Sequence, residues 1–118
     1  MNRQYSVVRS AAARSDLQNL FNHLFTAYRE FDYPLEESFD RAAKRFRDIE
    51  EAMERLALAP FQGTLRQNLM PGLRQVTKDR AIFYFTVDEE RRQVNVLAIF
   101  YGGQDHQRLM LERMTKES

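Results

Sequence analysis

Apolar positions change their period partway along the chain, and that change divides it into a helical half and a strand half. Leu17, Leu20, Phe21, Leu24, Phe25, Tyr28 and Phe31 recur at spacings of three and four, which lays them along one stripe of an amphipathic helix over residues 12–31. Before it, Tyr5-Ser6-Val7-Val8 favours extended backbone, and Ser10 is placed to accept from a free N–H of the helix's first turn. Asp32-Tyr33-Pro34 interrupts the stripe, because a proline disfavours helical backbone in the residue before it and suits the first turn of a new helix. A second helix is predicted from Pro34, with Glu36 and Glu37 at its positive end and Phe39, Ala42, Phe46, Ile49, Met53 and Leu56 along one stripe. Two such helices on so short a link form an antiparallel hairpin with a shared core.

Ala59-Pro60 closes the second helix, and Pro60, Gly63, Pro71 and Gly72 mark residues 61–72 as a long irregular connection. Beyond it the period drops from about 3.6 to two. Residues 73–76 form a short strand. Ile82, Tyr84 and Thr86 alternate with Phe83, Phe85 and Val87 in a second, and Val94, Val96, Ala98 and Phe100 alternate with Asn95, Leu97, Ile99 and Tyr101 in a third. The charged link Asp88-Glu89-Glu90-Arg91-Arg92 suits an exposed turn, so these strands read as an antiparallel meander. The third is apolar on both faces and belongs inside the sheet rather than at its edge. Gly102-Gly103 ends it, and Asp105 caps a short helix reaching about Arg113. The expected class is α+β: a helical hairpin packed on a small antiparallel sheet, in the order β-α-α-β-β-β, with a short C-terminal helix.

A length of 118 residues suits a single domain spanning 1–118, and 43% hydrophobic residues, with nine Phe and five Tyr, supply a core despite a charged fraction of 30%. Every apolar stretch is broken well short of the roughly 20 residues of a membrane span. Met1-Asn2-Arg3-Gln4-Tyr5 leads into no apolar leader segment, so no membrane partner and a cytoplasmic location are expected. The lack of cysteine excludes disulfides, thiolate metal sites and cysteine nucleophiles. His23 and His106 stand far apart without ligands at metal-binding spacing, so neither metal nor cofactor is expected. A net charge of +1 is too small to imply nucleic-acid binding by bulk electrostatics, and only local patches carry such a role.

Several residues admit a functional and a plain reading. Arg74, Lys78 and Arg80 are either a basic patch across neighbouring strands or a solvated sheet face. His106 with Asp105 and Arg108 is either an acid/base group or a capped first helical turn. Tyr84 and Tyr101 are either stacking platforms for bases or, as their alternating pattern favours, core residues. Arg41, Lys44, Arg45 and Arg47, near Asp40, Asp48 and Glu51, read as the solvated face of the second helix. Leu109, Met110, Leu111 and Met114 give the last helix an apolar side that either covers the sheet or receives a partner.

Four segments carry a likeness to a known family. They are Tyr5-Ser6-Val7-Val8-Arg9-Ser10 followed by Ala13 and Asp16-Leu17; Leu56 to Pro60 followed by Gly63; Gly72-Leu73-Arg74 followed by Ile82-Phe83-Tyr84-Phe85-Thr86-Val87-Asp88; and Val96-Leu97-Ala98-Ile99-Phe100 followed by Gly102-Gly103-Gln104-Asp105. In order and separation they resemble the RelE/ParE toxin superfamily, also described as plasmid-stabilisation proteins, over about the whole chain. The resemblance implies that the first strand lies beside the last, and that a cognate antitoxin, usually encoded next door, wraps the toxin with a helix or an extended tail in a hetero-oligomer.

The family divides by target. RelE-like members cut messenger RNA in the ribosome with a scattered set of Lys, Arg and a terminal-helix Tyr, whereas ParE-like members poison DNA gyrase. Here Val76 stands where a second basic residue would help, Gly102-Gly103-Gln104-Asp105 lacks an Arg, and the terminal stretch Arg108-Leu109-Met110-Leu111 has no Tyr. His106 is too far from Ser118 to match members that carry a C-terminal His and Tyr. The resemblance therefore points to a ParE-like gyrase inhibitor without enzymatic activity. Its candidate target-binding residues are Arg74, Lys78, Arg80, Gln104, Asp105, His106 and Arg108. The alternatives are a ribosome-dependent, metal-independent endoribonuclease using Arg74, Arg80 and His106, and a toxin-derived binding module that has lost toxicity.

Overall fold

A computed structural model describes residues 4–116. Met1-Asn2-Arg3, on which the reading of the leader partly rests, and Ser118 lie outside the described residues. Strand β1 (Ser6–Arg9) leads into helices α1 (Ala11–Glu30) and α2 (Leu35–Glu54), a 3-10 turn (Arg55–Leu58), and strands β2 (Thr64–Leu65), β3 (Arg74–Lys78), β4 (Ala81–Asp88) and β5 (Gln93–Tyr101). Helix α3 (His106–Lys116) follows.

The helix boundaries follow from caps. Ser10 keeps extended backbone and its Oγ accepts from the Ala13 N–H at 3.0 Å, so α1 starts one residue earlier than its stripe predicts. The same hydroxyl donates to the Leu97 carbonyl at 3.3 Å, which ties the start of α1 to β5. Pro34 stands just outside α2 rather than in its first turn, and its carbonyl accepts from the Ser38 N–H at 2.8 Å.

The sheet order is β1-β5-β4-β3-β2. Strands β3, β4 and β5 form the predicted antiparallel meander, and β1 joins β5 in parallel, which makes the sheet mixed and leaves β5 interior. Residues 61–72 are not wholly irregular, since Thr64–Leu65 pair with Gln75 and Arg74 as β2. That pairing depends on Gly63, whose φ is +87° and whose added Cβ would stand 2.4 Å from the Gln75 carbonyl oxygen.

A bulge decides which side chains reach which face. Tyr84 pairs with Ala98 but Phe85 pairs with Val96, so Leu97 is an extra residue in β5. Strict alternation would put Val94, Val96, Ala98 and Phe100 on one face; instead the order flips at Leu97. Val94, Val96 and Ile99 pack with Phe83, Phe85, Leu17, Leu20, Ile49 and Met53 beneath the helical hairpin. Ala98 and Phe100 join Leu73, Ile82, Tyr84 and Met110 in a second core on the opposite face, under α3. Each fully buried Phe or Leu contributes about 1.5 to 3 kcal/mol, so the two cores hold sheet and helices as one unit.

The hairpin overhangs the sheet. Full burial along α1 stops at Leu20, Leu24 packs half-buried against the same core, and the far end of the hairpin exposes Phe31 (78%), Leu35 (61%) and Phe39 (53%). The apolar stripe continues past the point where strands remain to cover it, so Phe39 touches Phe21 edge-on yet stays largely in water. Among the described residues, no helix is long and apolar enough to cross a membrane.

Candidate functional site

On the face opposite the hairpin, the period of β4 aims Tyr84 at α3. Its side chain is fully buried, and its hydroxyl lies 2.9 Å from Nδ1 of His106, the first residue of α3. Burial pushes the Tyr84 phenol above its ordinary pKa, while the positive charge of Arg66 pulls it back down. Arg66 arrives from the connection after β2, and its Nη1 donates to Gln75 Oε1 at 2.9 Å. Gln75 is the cross-strand partner of Tyr84, so guanidinium, phenol and imidazole gather on one sheet face. A guanidinium, a phenol and an imidazole side by side are the kinds of group that proton transfer beside an anion uses.

The residues expected from sequence do not meet there. Arg74 donates through Nη1 to the carbonyls of Phe61 at 2.6 Å and Gln62 at 3.5 Å, and its guanidinium lies 5.4 Å from the Phe61 ring. It ties the segment after the 3-10 turn to β3. Lys78 ends β3 and Arg80 sits in the turn to β4, at the other end of that hairpin from Arg74. Gln104 Oε1 accepts from the Tyr101 N–H at 3.1 Å, a turn contact. Asp105 accepts from the Arg108 N–H at 3.5 Å and from Arg108 Nε at 3.3 Å, and Arg108 also donates to Glu112 at 2.8 Å. Of the candidates, His106 alone joins the Tyr84 cluster. Tyr84 is a core residue whose polar end is used, and Tyr101 stacks on His23 with ring centroids 3.7 Å apart.

Sequence reasoning missed Arg66, because residues 61–72 have no period from which a facing direction can be read. It also missed Asp16, which is 9% exposed. Its carboxylate takes both Nη atoms of Arg113 at 2.9 Å and the Ile99 N–H at 2.9 Å, joining α1, β5 and α3. Arg113 in turn lies 5.2 Å from the centre of the Phe100 ring. Among the described residues no group of three or more His, Asp or Glu side chains is placed to hold a metal ion.

No protein-family model matches the chain, and neither does any curated protein. Solved structures do. A chain of the chromosomal ParDE TA system from P. aeruginosa superimposes with a TM-score of 0.63 and 22% identity, covering 82% of this chain and 95% of that one. A chain of the toxin–antitoxin complex RelBE2 from Mycobacterium tuberculosis gives a TM-score of 0.50 and 19% identity, covering 83% and 98%. With its helical hairpin, mixed five-stranded sheet and C-terminal helix, the chain has the RelE/ParE fold.

Proposed function

We propose that this protein is the toxin of a type II toxin–antitoxin pair, acting in the cytoplasm, neutralised by a cognate antitoxin, and inhibiting DNA gyrase by binding it. The likeness in fold to the ParDE and RelBE2 chains supports the toxin reading. One observation carries the choice of gyrase: Arg74, Arg80 and His106 are held apart, with Arg74 committed to backbone carbonyls. Cleavage by RNA's own 2′-OH needs a base, a cation and an acid converging on one phosphate, and those three residues offer no such point. The exposed Phe31, Leu35 and Phe39 suit a protein target, since large apolar side chains grouped in water mark interaction surfaces. Inducing the protein in cells and titrating it into a supercoiling assay with purified gyrase tests this. Loss of supercoiling at growth-arresting doses is expected, and normal supercoiling at those doses rejects it.

A second reading rests on Arg66, Tyr84 and His106, which do converge. Under it the protein is a ribosome-dependent endoribonuclease in which Arg66 faces the phosphate and His106 moves the proton. Ribosome-bound transcripts would then be cut during growth arrest, and Arg66→Ala or His106→Ala would abolish the cutting while leaving the fold intact. Intact transcripts eliminate it. Harmless overexpression without any antitoxin would leave a binding module that has lost toxicity.

A further inference from the structure

The second core, under α3, is closed by thioethers. Helix α3 seats one fully buried side chain, Met110, which is 2% exposed and packs in the cluster of Leu73, Ile82, Tyr84, Ala98 and Phe100. Four residues on, and so on the same side of the helix, Met114 packs half-buried against that cluster. Met114 therefore stands at the rim of this core, in contact with water, and Met110 stands behind it. Polar ties hold the two ends of the helix, Tyr84 to His106 at 2.9 Å and Asp16 to Arg113 at 2.9 Å. Within the cluster the one polar side-chain group is the Tyr84 hydroxyl, already engaged by His106, and Arg113 gives both Nη atoms to Asp16. Met53, by contrast, is 0% exposed in the core beneath the hairpin.

We propose that Met114 and Met110 are an ordered pair of oxidation sites for peroxides, and that their conversion to sulfoxides unseats α3 from the sheet. The thioether sulfur of Met114 attacks one peroxide oxygen. An S–O bond forms as the O–O bond breaks, the sulfur gives up two electrons to the peroxide, and the departing hydroxide takes the proton of the transferred oxygen and leaves as water. The product is polar where the thioether was apolar, so Met114 turns towards solvent and the last turn of α3 loses its hold on the cluster. Opening of the helix then brings Met110 to the oxidant. A sulfoxide at that position meets no uncommitted donor among the clustered side chains, and reburying its oxygen unpaired is unfavourable, so α3 does not reseat. The open state carries His106 away from Tyr84 and bares Leu73, Ile82 and Phe100 to water. Enzymatic reduction of the sulfoxides reverses the change.

The test treats the full chain with hydrogen peroxide and follows oxygen gain at each methionine by peptide mass spectrometry, with hydrogen exchange of α3 on the same samples. Met114 is expected to oxidise first, Met110 after it, and Met53 last. Exchange along α3 is expected to quicken by about 10-fold once Met114 is oxidised, while β4 and β5 exchange as before. Met114→Leu, an apolar swap of similar volume that keeps the fold, is expected to slow oxidation of Met110 by about 10-fold. Met70→Leu, which removes the other half-buried thioether of this core, is expected to leave the order of the two α3 sites unchanged. Equal rates at Met110 in the parent and in Met114→Leu overturn the proposal. So does Met53 oxidising in step with Met110, which would mean that the whole chain opens, and so does unchanged exchange of α3 with Met114 fully oxidised.

Discussion

Tyr84 shows how much one side chain's surroundings change its role. In an alternating strand it reads as core, and it is core, but a buried phenol left without a partner costs about 1 to 3 kcal/mol, which offsets much of what its ring gains. His106 supplies the partner at 2.9 Å. Tyr84→Phe is expected to cost about 1 kcal/mol at neutral pH, measured by urea denaturation, because water reaches the half-buried imidazole and softens the loss. The pH dependence follows from the raised phenol pKa. The folded state holds the proton more tightly than the unfolded one, so this contribution is full below the ordinary value of 10.0 and is lost as pH rises through the higher folded value. Above about pH 10 the stability of the parent should therefore fall more steeply than that of Tyr84→Phe. Parallel slopes for the two proteins would show that the phenol ionises as it does in water. Nothing in the local sequence around Arg66 announces its place beside this pair, since its direction is set by β2 pairing with β3.

Among the elements, the two-residue strand β2 depends most on a single residue. Gly63 and Gly72 both have positive φ, at +87° and +78°. They differ in space: a Cβ at Gly63 would meet a backbone carbonyl at 2.4 Å, whereas one at Gly72 meets nothing within 4 Å. Gly63→Ala is expected to destabilise by about 2 kcal/mol or more and to detach β2, while Gly72→Ala costs about 1 kcal/mol from its backbone conformation alone. Thermal denaturation of the two variants separates these effects, and equal losses would contradict the close approach at Gly63. The period of two in β5 was legible in the sequence, but its interruption at Leu97 was not. Asn95, Leu97 and Ile99 present no glycine or proline to mark a bulge, and the extra residue becomes visible only when Tyr84 and Phe85 are paired across the strands.

At the scale of the whole molecule, two cores of unequal size share one sheet. The hairpin side holds most of the buried apolar residues, whereas α3 contributes one fully buried side chain, Met110, and depends on Asp16 and Arg113 for its position. Hydrogen exchange should therefore show α3 opening at lower free energy than β4 and β5. Asp16→Ala should speed exchange along α3 selectively and destabilise the protein by about 2 to 4 kcal/mol, because it removes the carboxylate facing a partly buried guanidinium. Uniform exchange across both cores would refute this division. Local chemistry alone determined the two hairpin helices, the strands β1, β3, β4 and β5, the terminal helix, the cap at Ser10 and the stripes that form the hairpin, but not β2, since period and capping are read within a few residues of each position. Tertiary structure decided the parallel pairing of β1 with β5, the flip at Leu97, the overhang that leaves Phe31 exposed, and the meeting of Asp16 with Arg113, 97 residues apart. These depend on which distant segments complete one another's hydrogen bonds and close a common apolar volume, and no stretch of chain carries that information by itself.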